Sequence, residues 1–149
     1  MKYILAQNSL NTVPATTQDS AQFRSNFNRA VELPANCQMC IVSSTLNDAN
    51  DPKIHYVEVT NLPLHSVMGN GEKGGQPALL GPVLTDSNIY GVKNWVDLGN
   101  PSPLVITDLY VKITNQDGEI SSGLTGMTEI LIGYRAAGQE KQSYGLNLK

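Results

Sequence analysis

Thr128-Glu129-Ile130-Leu131-Ile132-Gly133-Tyr134-Arg135 is the stretch whose pattern decides the fold. Thr128, Ile130, Ile132 and Tyr134 fall on one side of an extended segment, and Glu129, Gly133 and Arg135 fall on the other. A period of two is the mark of a strand with one buried face. The same period recurs upstream. Val105, Leu109, Val111 and Ile113 are expected inward, alternating with Asp108, Tyr110 and Lys112. His55, Val57 and Val59 alternate with Tyr56, Glu58 and Thr60, and Gln38 to Ser44 forms a further run. Over residues 22–33, Phe23, Phe27, Val31 and Leu33 share a face that Ser25 and Arg29 interrupt, until Pro34 stops the strand. Asn115-Gln116-Asp117-Gly118 reads as a turn, with Gly118 at a positive φ.

Residues 62–103 are less regular, being broken by Pro63, Pro77, Pro82, Pro101 and Pro103. Short runs survive at Ala78-Leu79-Leu80, Pro82-Val83-Leu84 and Lys93 to Leu98. Seven or eight short strands with no convincing helix predict an all-β sandwich of two four-stranded sheets. Three segments are expected: an N-terminal arm over 1–21, the sandwich over 22–135 and a C-terminal tail over 136–149.

Composition agrees. The 149 residues suit one domain, and a chain of this length can bury its own core. Charged residues are only 15%, against about 25% in ordinary globular proteins. Uncharged polar side chains take their place, with 14 Asn, 11 Ser and 10 Thr. The net charge is −3 and the ten Lys and Arg are scattered, which argues against direct nucleic-acid binding. No apolar run approaches the roughly 20 residues of a membrane span, and Tyr3-Ile4-Leu5-Ala6 is too short for a signal peptide.

Motifs that could carry chemistry are sparse. Cys37 and Cys40 form one Cys-x-x-Cys, but a structural zinc would need two further ligands, and the only histidines are His55 and His65. A redox pair should open a helix, whereas Gln38 to Ser44 is strand-like, so two reduced cysteines are expected. Gly69-Asn70-Gly71-Glu72-Lys73-Gly74 has the spelling of a dinucleotide loop, yet Gly75-Gln76-Pro77 cannot open the helix that would bind phosphate. It reads as a projecting loop in which Asn70, Glu72 and Lys73 could make contacts. Asp48-Ala49-Asn50-Asp51 lacks the glycine and distant glutamate of a calcium loop. No catalytic, cofactor-binding or metal-binding residue is assigned, and the expectation is a protein that is not an enzyme. Trp95, the single tryptophan, is expected in the core, or else as an exposed sugar-stacking platform or an interface anchor.

An ordered set of words goes further than periodicity. It runs Phe23-x-Ser25-x-Phe27, Glu32-Leu33-Pro34, Ser43-Ser44-Thr45-Leu46-Asn47 and Val57-Glu58-Val59-Thr60-Asn61-Leu62-Pro63-Leu64. It continues with Asn94-Trp95-x-x-Leu98-Gly99-Asn100-Pro101, Leu104 to Ile113, Asp117-Gly118 and Leu124 to Ile130. This set resembles the single jelly-roll penton and minor capsid proteins of large icosahedral double-stranded DNA viruses, over about residues 22–135. The resemblance implies a jelly-roll sandwich, made in the host cytoplasm and built into the virion at the capsid vertex. It implies a homopentamer whose further partners are the major capsid protein, minor capsid proteins and a spike or fibre. The alternative is a jelly-roll carbohydrate- or receptor-binding module. Tyr3, Ile4 and Leu5 are expected at the subunit interface with Trp95, because an apolar start outside a folded core has little reason to exist unless it docks. On that view, removing residues 1–18 spares the fold and impairs assembly.

Overall fold

The computed structural model describes residues 1–8, 20–47, 54–64, 79–84, 94–115 and 117–138. Eight strands are present: β1 (Lys2–Gln7), β2 (Gln22–Leu33), β3 (Cys37–Thr45), β4 (Ile54–Val59), β5 (Leu79–Leu84), β6 (Val96–Asp97), β7 (Leu104–Thr114) and β8 (Glu129–Ala136). Among the described residues there is no helix. Sheet A has the order β1-β8-β3-β6 and sheet B the order β2-β7-β4-β5. Every pairing is antiparallel. First pairs with last (β1 with β8), second with seventh, third with sixth and fourth with fifth. That nesting is a long hairpin rolled around a core, the jelly roll.

The core lies between the sheets. From sheet A it takes Ile4, Ala6, Met39, Ile41, Ile130 and Ile132; from sheet B, Phe23, Leu33, Val57, Val59, Leu109, Val111 and Ile113. In β8 the inward row of Ile130, Ile132 and Tyr134 follows the alternation in the sequence, and Thr128 is buried just before it. The turn at Asn115 is also as expected. Gly118 has a φ of 82°, and the Asn115 Oδ1 accepts from the backbone N–H groups of Asp117 and Glu119.

Two expectations fail for identifiable reasons. Val105 points out, not in, and Ile106 is buried instead. Between Asn26 and Val31 the β2–β7 register shifts, so Asn26 faces Asp108 while Val31 faces Ile106. The irregularity breaks the phase of the alternation, which therefore runs differently on its two sides. Residues 2–7 are not an arm. They form an edge strand of sheet A, paired with β8 from Lys2↔Tyr134 to Gln7↔Glu129. Ile4 and Ala6 are core residues.

Side-chain amides close both ends of the roll. Beyond β1, the Asn8 backbone N–H donates to Thr128 O, and its Oδ1 accepts from the Thr128 N–H at 2.7 Å. Asn8 Nδ2 and Ser20 Oγ both donate to Gly126 O. At the other end, Asn100 Oδ1 accepts from the buried Cys37 N–H at 2.9 Å, and Asn100 Nδ2 donates to Pro34 O and Ser102 O. One side chain thus satisfies three backbone groups, two at the entry to β3 and one just before β7.

Two stability measurements follow. Ile4→Ala should cost about 2–4 kcal/mol in urea unfolding, since it empties a core position; a change near zero would return residues 2–7 to an arm outside the fold. Asn100→Ala should cost about 1–3 kcal/mol, because it leaves a buried backbone N–H without its acceptor; a neutral effect would remove Asn100 from the closure of the roll.

Candidate functional site: the outer face of sheet A

Strands with one buried face should show polar residues on the other. Sheet A departs from this. Its outward positions carry Met1, Tyr3 and Leu5, which are 51%, 55% and 48% exposed. By register, Tyr3 stands beside Gly133 and Cys40, and Leu5 beside Leu131 and Ser43. Val42 is the extra residue where the β3–β8 register shifts between Ile41 and Ser43.

Gly133 shapes the middle of this face. A Cβ there would lie 2.9 Å from Met1 Sδ, 3.1 Å from Val42 Cγ2 and 3.4 Å from Cys40 Sγ. The missing side chain lets the Met1 and Val42 side chains close over the central strand, which flattens the surface. Cys40 is fully buried beneath it.

A polar row bounds the apolar field. Arg135 Nε donates to Gln38 Oε1 at 3.1 Å, and Gln38 Nε2 donates to Asp97 Oδ1 at 3.0 Å, across β8, β3 and β6. The Arg135 guanidinium lies over the Trp95 ring, 3.7 Å from its centroid, within cation–π range. An apolar centre with a polar, partly aromatic border is the anatomy of a protein interface.

Of the four residues expected at an interface, the structure brings Tyr3 and Leu5 together on this face and sets Trp95 at its border, half-buried under Arg135. Ile4 points into the core and is not available for contact. Asn70, Glu72 and Lys73, and the whole Gly69–Gly74 loop, lie outside the described residues, as do His65 and Asp48–Asp51. Sequence reasoning missed Met1, Val42 and Leu131. The signal was there: Ile41-Val42 and Ile130-Leu131-Ile132 are uninterrupted apolar runs, which in a strand call for cover on both faces.

The other chemically suggestive residues are in the interior. His55 is fully buried on β4, with its Nδ1 2.7 Å from Ser121 Oγ. Cys37 and Cys40 are free thiols, three residues apart on a strand and so on opposite faces of sheet A. Among the described residues no group of three or more His, Cys, Asp or Glu could hold a metal ion, and no helix is long and apolar enough to cross a membrane. No family model and no curated protein matches the chain.

Burial pushes the Cys37 thiol from 9.0 up to about 11, a backbone hydrogen bond with Arg135 offsetting part of the rise. The folded state therefore keeps this proton to higher pH than the unfolded chain does. Its contribution to stability is intact below pH 9.0 and is lost as pH rises toward about 11. Urea unfolding across that window should show a decline that Cys37→Ala removes. An unchanged slope in the variant would assign the decline to other groups.

Proposed function

We propose that this chain is a structural capsid subunit, a penton that forms homopentamers at the five-fold vertices of an icosahedral particle. The observation that carries the reading is the flat apolar face of sheet A. Met1, Tyr3 and Leu5 lie in one exposed field, and soluble monomers seldom leave a contiguous patch of this kind uncovered.

A second feature favours a ring over a two-fold dimer. The opposite flank, the outer face of sheet B, also exposes apolar side chains, Val105 at 62% and Tyr110 at 42%. A closed ring needs two different, complementary surfaces on each subunit, whereas a two-fold dimer uses one surface twice. These two side chains stand among polar ones, the Arg24–Asp108 ion pair included, so the two flanks differ in character, as front-to-back packing around an axis requires. The low charge count, 15% of residues, lets such flanks approach with little repulsion. The sequence resemblance to penton proteins supplies the number five and the vertex setting. The major capsid protein and other minor capsid proteins are the neighbours this reading assigns, with a spike or fibre above.

Light scattering on a sizing column tests it. Five copies of the 16.1 kDa chain should elute at about 80 kDa over a range of concentrations. The double variant Tyr3→Lys, Leu5→Lys should fold and elute as a monomer, since both side chains point to solvent in the single subunit. A trimer would redirect the reading to a spike or attachment protein. A double variant with unchanged mass would clear the sheet A face of any part in assembly.

A further inference from the structure

We propose that residues 26–29 of β2 and the cleft beside them bind an acidic sugar, a pyranose ring that carries a carboxylate. The site goes beyond the assembly reading and does not rest on it.

The irregularity in β2 is large. Five residue steps on β2, from Asn26 to Val31, answer two on β7, from Asp108 to Ile106. An ordinary bulge adds one residue to a strand, and this one adds three. Asn28, Arg29 and Ala30 are exposed in succession, where a half-buried strand would alternate. No glycine or proline in the segment forces the departure. Bulges re-aim side chains, and they gather beside functional sites. The side chains carried by this one include Phe27, Asn28 and Arg29.

A cleft of about 420 Å³ lies against the segment, lined in part by Gln7, Asn26, Phe27, Asn28, Arg29 and Val31. The Gln7 N–H donates to Ser25 Oγ at 3.3 Å and so holds the end of β1 to β2 there. Clefts for small molecules span about 300–1,000 Å³, so this volume suits a mono- or disaccharide.

The lining supplies three kinds of group. Phe27 and Val31 are only partly buried and give apolar surface. Gln7, Asn26 and Asn28 give three primary amides, each with donors and an acceptor in one plane. Arg29 is the only charged side chain among the described residues of the lining. Among the described residues, the side chains of Gln7, Asn26, Asn28 and Arg29 make no hydrogen bond or ion pair.

An acidic sugar matches each kind. One face of its ring is made of C–H groups and packs on an aromatic side chain. Its hydroxyls both donate and accept, as the amides do. Its carboxylate takes the parallel N–H groups of a guanidinium. A free phosphate or a simple carboxylate would leave Phe27 and the amides unused. A cationic ligand would meet Arg29 with no carboxylate among the described lining residues to offset it.

Saturation-transfer NMR on the full chain tests the site. The probes are the methyl glycosides of glucuronic acid and N-acetylneuraminic acid, with methyl glucoside as the neutral control. At least one acidic probe should bind, and more tightly than the glucoside. Arg29→Gln should weaken that probe at least about tenfold, the loss of one charge-assisted contact, and bring it down to the level of the neutral sugar. Asn28→Ala should weaken it as well. Both residues are exposed, so neither change should lower the melting temperature. No signal from either acidic probe would overturn the site. Binding that either variant leaves intact would overturn it too, by placing the sugar elsewhere. Acetate competing as well as the sugar would reduce the site to a simple anion contact, against the proposal.

Discussion

Everything in this molecule depends on β8 lying between β1 and β3. Its inward row of Ile130, Ile132 and Tyr134 fills the middle of the core, and its two edges carry the ladders that hold sheet A together. Because first pairs with last, the roll is closed by contacts far apart in sequence. Lys2 sits opposite Tyr134 and Cys37 opposite Ala136. The Asn8–Thr128 and Asn100–Cys37 hydrogen bonds finish that closure where the strands run out. Long-range pairing of this sort costs loop-closure entropy before any contact compensates for it. The side-chain amides matter because they satisfy backbone groups that no ladder reaches.

Much of this was legible in the sequence, and the exceptions have physical causes. The alternation over 128–135 identifies β8 directly, and that over 54–59 identifies β4, because one face is buried and the other is not. Val105 was misread because an irregularity in β2 shifts the phase of β7, and nothing local to Val105 announces it. Lys2–Gln7 was misread because Tyr3-Ile4-Leu5-Ala6 is apolar throughout, so no alternation separates core from surface. Both faces of that strand have a use: Ile4 in the core and Tyr3 and Leu5 outside. The site was half legible. Tyr3, Leu5 and Trp95 could be named, but the Arg135–Trp95 stack joins residues forty apart, and the role of Gly133 becomes visible only when β1, β8 and β3 lie side by side.

The same constraint links fold to proposed function. Placing β1 beside β8 gives sheet A an apolar outer face, the surface that the proposed neighbouring subunit would cover. The buried thiols and the buried His55 belong to the interior that supports these surfaces. The polar row of Arg135, Gln38 and Asp97 sets the boundary of the apolar field. In the proposed ring, packing of one flank on the other around an axis would convert a property of single strands into a symmetric assembly.

Electron images of the purified assembly, averaged and viewed down its axis, test the central claim most directly. Five equivalent lobes around a closed ring are the predicted result. A two-fold or three-fold average, or single unassociated particles at concentrations where the full chain is abundant, would contradict it.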